Sequence, residues 1–351
     1  MRAIRTVIAL LVTIAFGTAA CGGGGDGKAA AYPLDDTLRL HEVQVLASHN
    51  SYHLRPSMRL PGPLGDVVDY EHPPLDEQLE DQGVRGFELD VADSGDAFPV
   101  VHTPVVDANT NCTPFGECLR VIKEWSDAHP GHVPIFVLVE PKDGLLERNI
   151  DMSLRTFDAD TITRLDKEIR SVLTPDDLLT PDDVRGDADT LRDAVLDEGW
   201  PTLDEARGRI VLVLNNGSDK RDLYLDGRPS LEGAPMFVTA DVAAPSAAVI
   251  KVDDPDEERI QMLVRDHFIV RTRTDADVVE ARVNDTARRD LAFRTGAQIV
   301  STDFPVADPA INPDYVVQLP GGMPARCNPV HAPENCRSVD VENPKYLTKR
   351  R

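Results

Sequence analysis

Eight short apolar runs built of strand-forming residues recur along the chain, at 43–50, 84–91, 98–104, 133–142, 209–216, 236–241, 268–275 and 297–305. Runs such as "VPIFVLVEPK" and "RIVLVLNN" are continuously apolar. Such strands are buried on both faces, as in a parallel sheet covered by helices. Segments with helical patterning lie between most of them: "LDEQLEDQG", "ECLRVIKEWSDAH", "DADTITRLDKEIRSVL", "TLRDAVLDEG", "PDEERIQMLVRDHF" and "DADVVEARVNDTARRDLAFRTG". The last ends at Gly296, a residue suited to a helix C-terminus. Eight parallel strands alternating with helices imply an α/β protein of the (β/α)8 TIM-barrel class. The barrel is irregular, because only residues 92–97 separate the second run from the third, too few for a helical crossover.

In such barrels chemistry gathers at the C-terminal ends of the strands. The first run ends in His49 and Asn50, inside "ASHNSYH". The second carries Glu88 and Asp90, the third ends in His102, and the fourth in Glu140 followed by Lys142. The seventh carries Arg271 and Arg273, and the eighth ends in Asp303. Residues two apart in a strand share a face, so Glu88 and Asp90 point together into the barrel while Phe87, Leu89 and Val91 point under the helices. Two carboxylates there, joined by Glu140, repel one another unless a cation binds them. Oxygen donors from Asn50, Glu88, Asp90 and Glu140 suit one Ca²⁺, with Mg²⁺ as the alternative; zinc would call for His or Cys. His49 and His102 titrate near neutrality and can serve as general acid and base or bind a developing oxyanion. Lys142, Arg271 and Arg273 are the expected holders of an anionic substrate, and the loops after strands 7 and 8 are a common phosphate site in this fold.

The ends of the chain point outside the cytoplasm. Arg2 and Arg5 precede an apolar run from Val7 to Ala20, then small residues and Cys21, the pattern of an export signal over 1–21. That run is too short to span a bilayer. The Gly-rich segment after it, 22–38, reads as a flexible tether, which makes Cys21 a lipidation site; a plain secretory signal is the alternative. The remaining cysteines are expected to pair locally, Cys112 with Cys118 and Cys327 with Cys336. The barrel is expected over 39–320, with an acidic insertion at 143–208, and a disulfide-bearing tail over 321–351. A net charge of −23 argues against nucleic acid as a partner.

"SHNSY", "GVRGFELDV", "VVHTP" and "VLVEPK" occur in the order found in calcium-dependent phosphoinositide-specific phospholipases C, and the chain most resembles their bacterial secreted branch. The resemblance covers most of 43–143 and, more weakly, 209–306. It implies the phospholipase C-like phosphodiesterase type of barrel, acting on phospholipid at a membrane surface; the chain is expected to be a monomer. By the same resemblance His49 supports the phosphoryl group, Asn50, Glu88, Asp90 and Glu140 ligate calcium, and His102 protonates the leaving diacylglycerol oxygen. The inositol 2-hydroxyl attacks phosphorus, with Glu88 or Glu140 as its base, giving diacylglycerol and a cyclic inositol phosphate. Two rival readings are a barrel phosphodiesterase for glycerophosphodiesters or sphingomyelin-type lipids, and a non-catalytic surface-binding lipoprotein.

Overall fold

The computed structural model describes residues 32–57, 62–104, 107–143 and 154–347. The export segment, Cys21 and most of the tether lie outside the described residues. Eight parallel strands form the barrel: β1 Val43–Ser48, β2 Gly86–Val91, β3 Ile135–Pro141, β4 Ile210–Leu214, β5 Met236–Val238, β6 Val249–Lys251, β7 Ile269–Arg273 and β8 Ile299–Thr302. They are ordered β5-β4-β3-β2-β1-β8-β7-β6. The ring is closed between β5 and β6 by a single parallel bridge, Thr239 to Val249, with the Ala240 amide donating to the Val249 carbonyl at 3.0 Å. The short, strongly apolar β3 and β4 are held at the centre by burial of nearly every side chain. Each buried Val, Leu or Ile there contributes roughly 1.5–3 kcal/mol.

The helices cover the sheet where their apolar faces predict. Phe115–Ala128 buries Phe115, Leu119, Ile122 and Trp125, and Ala159–Val172 buries Ile162, Leu165 and Ile169. Glu257–Arg265 leads into β7, and Ala287–Thr295 ends at Gly296, whose φ of 80° is the left-handed cap conformation. The long helical pattern at 275–296 is divided in two, because Asn284 takes a left-handed φ of 52° after Val279–Val283.

The third apolar run is not a barrel strand. Residues 98–104 turn back antiparallel over the end of β2, with Val100 bridged to Val91 and the Val101 amide donating to the Asp90 carbonyl at 3.1 Å. Without a helical crossover a chain can return only antiparallel. The missing eighth strand is β6, three residues long and ending in a lysine, which its brevity hides in the sequence.

A ninth strand, β9 Ala325–Cys327, runs antiparallel to β1, pairing Val43 with Cys327 and Val45 with Ala325. One edge of β1 is taken by β8, and β2 meets the other only at Ala47 and Gly86. The lower part of that second edge is thus open, and β9 fills it. The two expected disulfides, Cys112–Cys118 and Cys327–Cys336, are formed. Beyond β9 the chain still belongs to the folded body: Glu342 is buried and accepts guanidinium bonds from the buried Arg85 at 2.5, 2.9 and 3.1 Å.

Candidate active site

The strand ends bring Glu88, Asp90 and Glu140 together. Asp90 and Glu140 are register partners across β2 and β3, and Glu88 lies two residues below Asp90 on the same face. Asn50 joins them from the turn after β1. Its φ of 43° is left-handed, a conformation Asn tolerates better than most residues. The next residue pins that turn to β2: Ser51 N donates to the Glu88 carbonyl at 3.0 Å, and Ser51 Oγ accepts the Glu88 amide at 2.9 Å. The amide nitrogen of Asn50 donates to the Tyr70 hydroxyl at 3.1 Å, so its oxygen is the atom able to ligate.

Asn215, at the end of β4, bridges the carboxylates. Its Nδ2 donates to Glu88 Oε1 at 2.8 Å and to Glu140 Oε2 at 3.0 Å. Lys142 Nζ lies 2.7 Å from Glu140 and 2.9 Å from Asp90. Arg271 is buried, donating to Glu88 Oε2 at 2.6 Å and pairing with Asp253 at the end of β6. It therefore positions Glu88 from beneath. Arg273 lies higher and donates to Asp303 Oδ2 at 3.1 Å.

Each histidine is held by an aspartate. His49 Nδ1 is 2.7 Å from Asp303 Oδ1. Burial, then the nearby Arg273, holds the His49 imidazole well below its ordinary pKa, so it is neutral at pH 7. His102 Nδ1 is 2.7 Å from Asp107 Oδ2, and Asp107 also takes His53 Nε2 at 2.9 Å. Burial alone would lower the His102 pKa, but the bond to Asp107 and the charge of Asp90 outweigh it and raise the value. Two histidines of opposite disposition, one neutral and one readily protonated, thus flank the carboxylates.

The carboxylate cluster fits a hard cation. Burial pushes Asp90 up to about 7, against the pull of Lys142 and with the push of Glu140. Neither Asp90 oxygen receives a well-directed hydrogen bond, and Asn215 Oδ1 is likewise buried without one. Asp90 and Asn215 thus keep oxygen lone pairs open to a hard cation, while Lys142 serves Asp90 and Glu140 as counter-charge.

A family model described as phosphoinositide phospholipase C, Ca²⁺-dependent, matches residues 38–98 and 94–329. The chain belongs to this family. It is accordingly a phosphoinositide-specific phospholipase C, a phosphodiesterase, and Ca²⁺-dependent like the rest of the family. The calcium-dependent phosphoinositol-specific phospholipase C of a Pseudomonas species aligns over 84% of this chain and 97% of its own, with 20% identity and a TM-score of 0.55. The phosphatidylinositol-specific phospholipase C of Streptomyces antibioticus aligns over 76% of this chain and 95% of its own, with 20% identity and a TM-score of 0.54. At that identity the likeness shows a shared fold. No curated protein matches the chain. Among the described residues no helix is long and apolar enough to cross a membrane.

In this phospholipase the six residues expected from the strand ends, His49, Asn50, Glu88, Asp90, His102 and Glu140, all lie around one site. Asn215, Asp107, Asp253 and Tyr70 join them without having been expected. Asn215 ends a strand run like the other site residues, so the same rule could have found it. Asp107 and Tyr70 lie in loops, where no periodicity marks them. Asp253 ends the strand that the sequence hid.

Proposed function

We propose that the enzyme cleaves phosphatidylinositol-type phospholipid by internal attack of the inositol 2-hydroxyl on phosphorus. A P–O bond to the ring forms, the P–O bond to diacylglycerol breaks, and a cyclic inositol phosphate leaves. The observation that carries this reading is the cluster of Glu88, Asp90 and Glu140 flanked by two histidines, each oriented by its own aspartate. Asn50, Glu88, Asp90 and Glu140 would hold one calcium ion, which when bound would neutralise charge on the phosphate and acidify the attacking hydroxyl.

The residues divide the remaining work. Glu140 is the better placed of the two candidate bases, since its side chain is 24% exposed whereas that of Glu88 is 5% exposed and committed to Arg271. His102 delivers a proton to the diacylglycerol oxygen, and its bond to Asp107 favours the protonated form that this needs. Neutral His49 donates a hydrogen bond to a phosphoryl oxygen, with Arg273 beside it as counter-charge. Lys142, now on Asp90 and Glu140, is the ammonium nearest the carboxylates and would be free to grip the anionic substrate if a cation neutralised them. Arg271 supports the substrate site indirectly, through Glu88. The export pattern and Cys21 support a lipid-anchored enzyme outside the cytoplasm.

The test is incubation of the enzyme with phosphatidylinositol, with calcium and then with a chelator, followed by phosphorus NMR. The expected product is a cyclic inositol phosphate that disappears with chelation. His49→Ala and His102→Ala should each lose about 10²–10⁴-fold in turnover, while calorimetry still shows calcium binding. Wild-type turnover in either variant, or a reaction indifferent to chelation, would sink the mechanism.

A further inference from the structure

The opposite end of the barrel carries a second cluster of metal-ligating side chains. His41 sits just before β1, His267 just before β7, and His331 within the Cys327–Cys336 disulfide loop. One nitrogen from each lies within 4.8 Å of the other two. Their ring centroids are 4.7, 5.1 and 5.4 Å apart. The six residues of β1 separate this cluster from His49, about 20 Å at the rise of a strand. The phospholipase reaction has no use for it there.

The geometry points to a transition-metal site of the Zn²⁺ class, with His41, His267 and His331 as ligands and water in the fourth position, clasping the C-terminal tail to the floor of the barrel. Imidazole nitrogen selects zinc, copper or nickel and rejects calcium, so the two ends of the barrel would sort their metals by ligand chemistry.

The hydrogen bond on His267 supports this. His267 Nδ1 is 3.1 Å from the Val195 carbonyl. A carbonyl only accepts, so Nδ1 carries the proton and Nε2 presents its lone pair. An outer backbone partner of this kind is what fixes the tautomer of metal-bound histidines. His41 Nδ1 accepts the Trp200 amide at 3.2 Å, which marks it as the lone-pair nitrogen of that ring. Coordination there displaces the Trp200 N–H from that lone pair, a cost that the metal bond must offset. Burial, then the neighbouring imidazoles, also keeps His41 and His331 unprotonated. Arg39 and Arg265 face the cluster and disfavour added positive charge, which Glu42, close to His267, partly offsets.

Zinc–nitrogen bonds of about 2.0–2.1 Å put tetrahedral ligands about 3.4 Å apart, so the rings must close by about an ångström. His331, half-buried on its loop, is the ligand with room to move. The three positions are far apart in the sequence and form no motif.

Co²⁺ titration of the full chain in excess Ca²⁺ tests the site, since tetrahedral Co²⁺ absorbs strongly in the visible. The expected result is saturation at one equivalent, displacement by Zn²⁺, and a Zn²⁺-induced rise in melting temperature. His331→Ala and His267→Ala should each weaken Co²⁺ binding by roughly a hundredfold or more, and Glu140→Gln should not. His331→Ala should keep its calcium-dependent phospholipase activity and lose the thermal response to Zn²⁺. Absence of the tetrahedral spectrum in the wild type overturns the site. So does a spectrum that survives both histidine variants, or one that depends on Glu140.

Discussion

Asp107 holds two imidazoles at once, and that double contact sets the acidity of the proposed proton donor. The bonds from His102 and His53 outweigh burial and keep the Asp107 carboxyl below its usual range. In return Asp107 raises His102 above its ordinary value near 6.5. A general acid works in its protonated form, so turnover should fall as pH rises through the raised His102 pKa. In Asp107→Asn the anionic partner is gone, and the basic limb of the kcat/KM profile should move to lower pH, with a loss of about tenfold or more near neutrality. A rate–pH series on the two proteins checks this; a limb that stays in place would mean that another group donates the proton. The same charge linkage has a stability side. The raised His102 contributes stability below pH 6.5 that is lost as pH rises through its folded value.

The contact of β1 with β2 is the narrowest in the barrel that the site depends on. It rests on Ala47 against Gly86, where a Cβ added to Gly86 would stand 2.7 Å from that of Ala47. The Ala47 Cβ is fixed to the backbone and cannot swing aside, so the strands must part. Gly86→Ala should therefore cost about 1–3 kcal/mol and should also weaken calcium binding. The turn bearing Asn50 reaches Glu88 only through the Ser51 bonds to β2. Thermal melts and calcium calorimetry on one preparation read both effects. A destabilised variant with wild-type calcium affinity would separate the strand contact from the site.

The tail completes the whole molecule. Glu342 lies 257 residues from Arg85, yet it binds that guanidinium and also accepts the Val133 amide at 2.8 Å. Glu342→Ala leaves a buried, uncompensated arginine, for which roughly 3–5 kcal/mol of destabilisation is expected, or about 5–8 °C in melting temperature. Scanning calorimetry measures it. A loss below about 1 kcal/mol would show that water or another acid reaches Arg85. Truncation before Ala325 should destabilise further, because the open edge of β1 then loses its partner as well.

Local patterns along the chain were enough for most of the barrel and its helices, and they placed His49, Asn50, Glu88, Asp90, His102 and Glu140 where the fold brings them together, because apolar runs and polar strand ends are short-range signals. Both disulfides were legible for the same reason, since their partners lie close in sequence. Everything else depended on how distant segments pack. Residues 98–104 have strand composition but no crossover, so their return had to be antiparallel. The strand β6 is too short to carry a pattern, and with it Asp253 stayed hidden. The tail carries no barrel-strand pattern in its sequence, yet an unpaired strand edge and a buried arginine draw it in. Arg271 looks like a substrate arginine in the sequence, and only the packing shows it sealed between Glu88 and Asp253. Asp107, Tyr70 and the three histidines at the barrel floor meet their partners through long-range closure, which leaves no periodic trace along the chain.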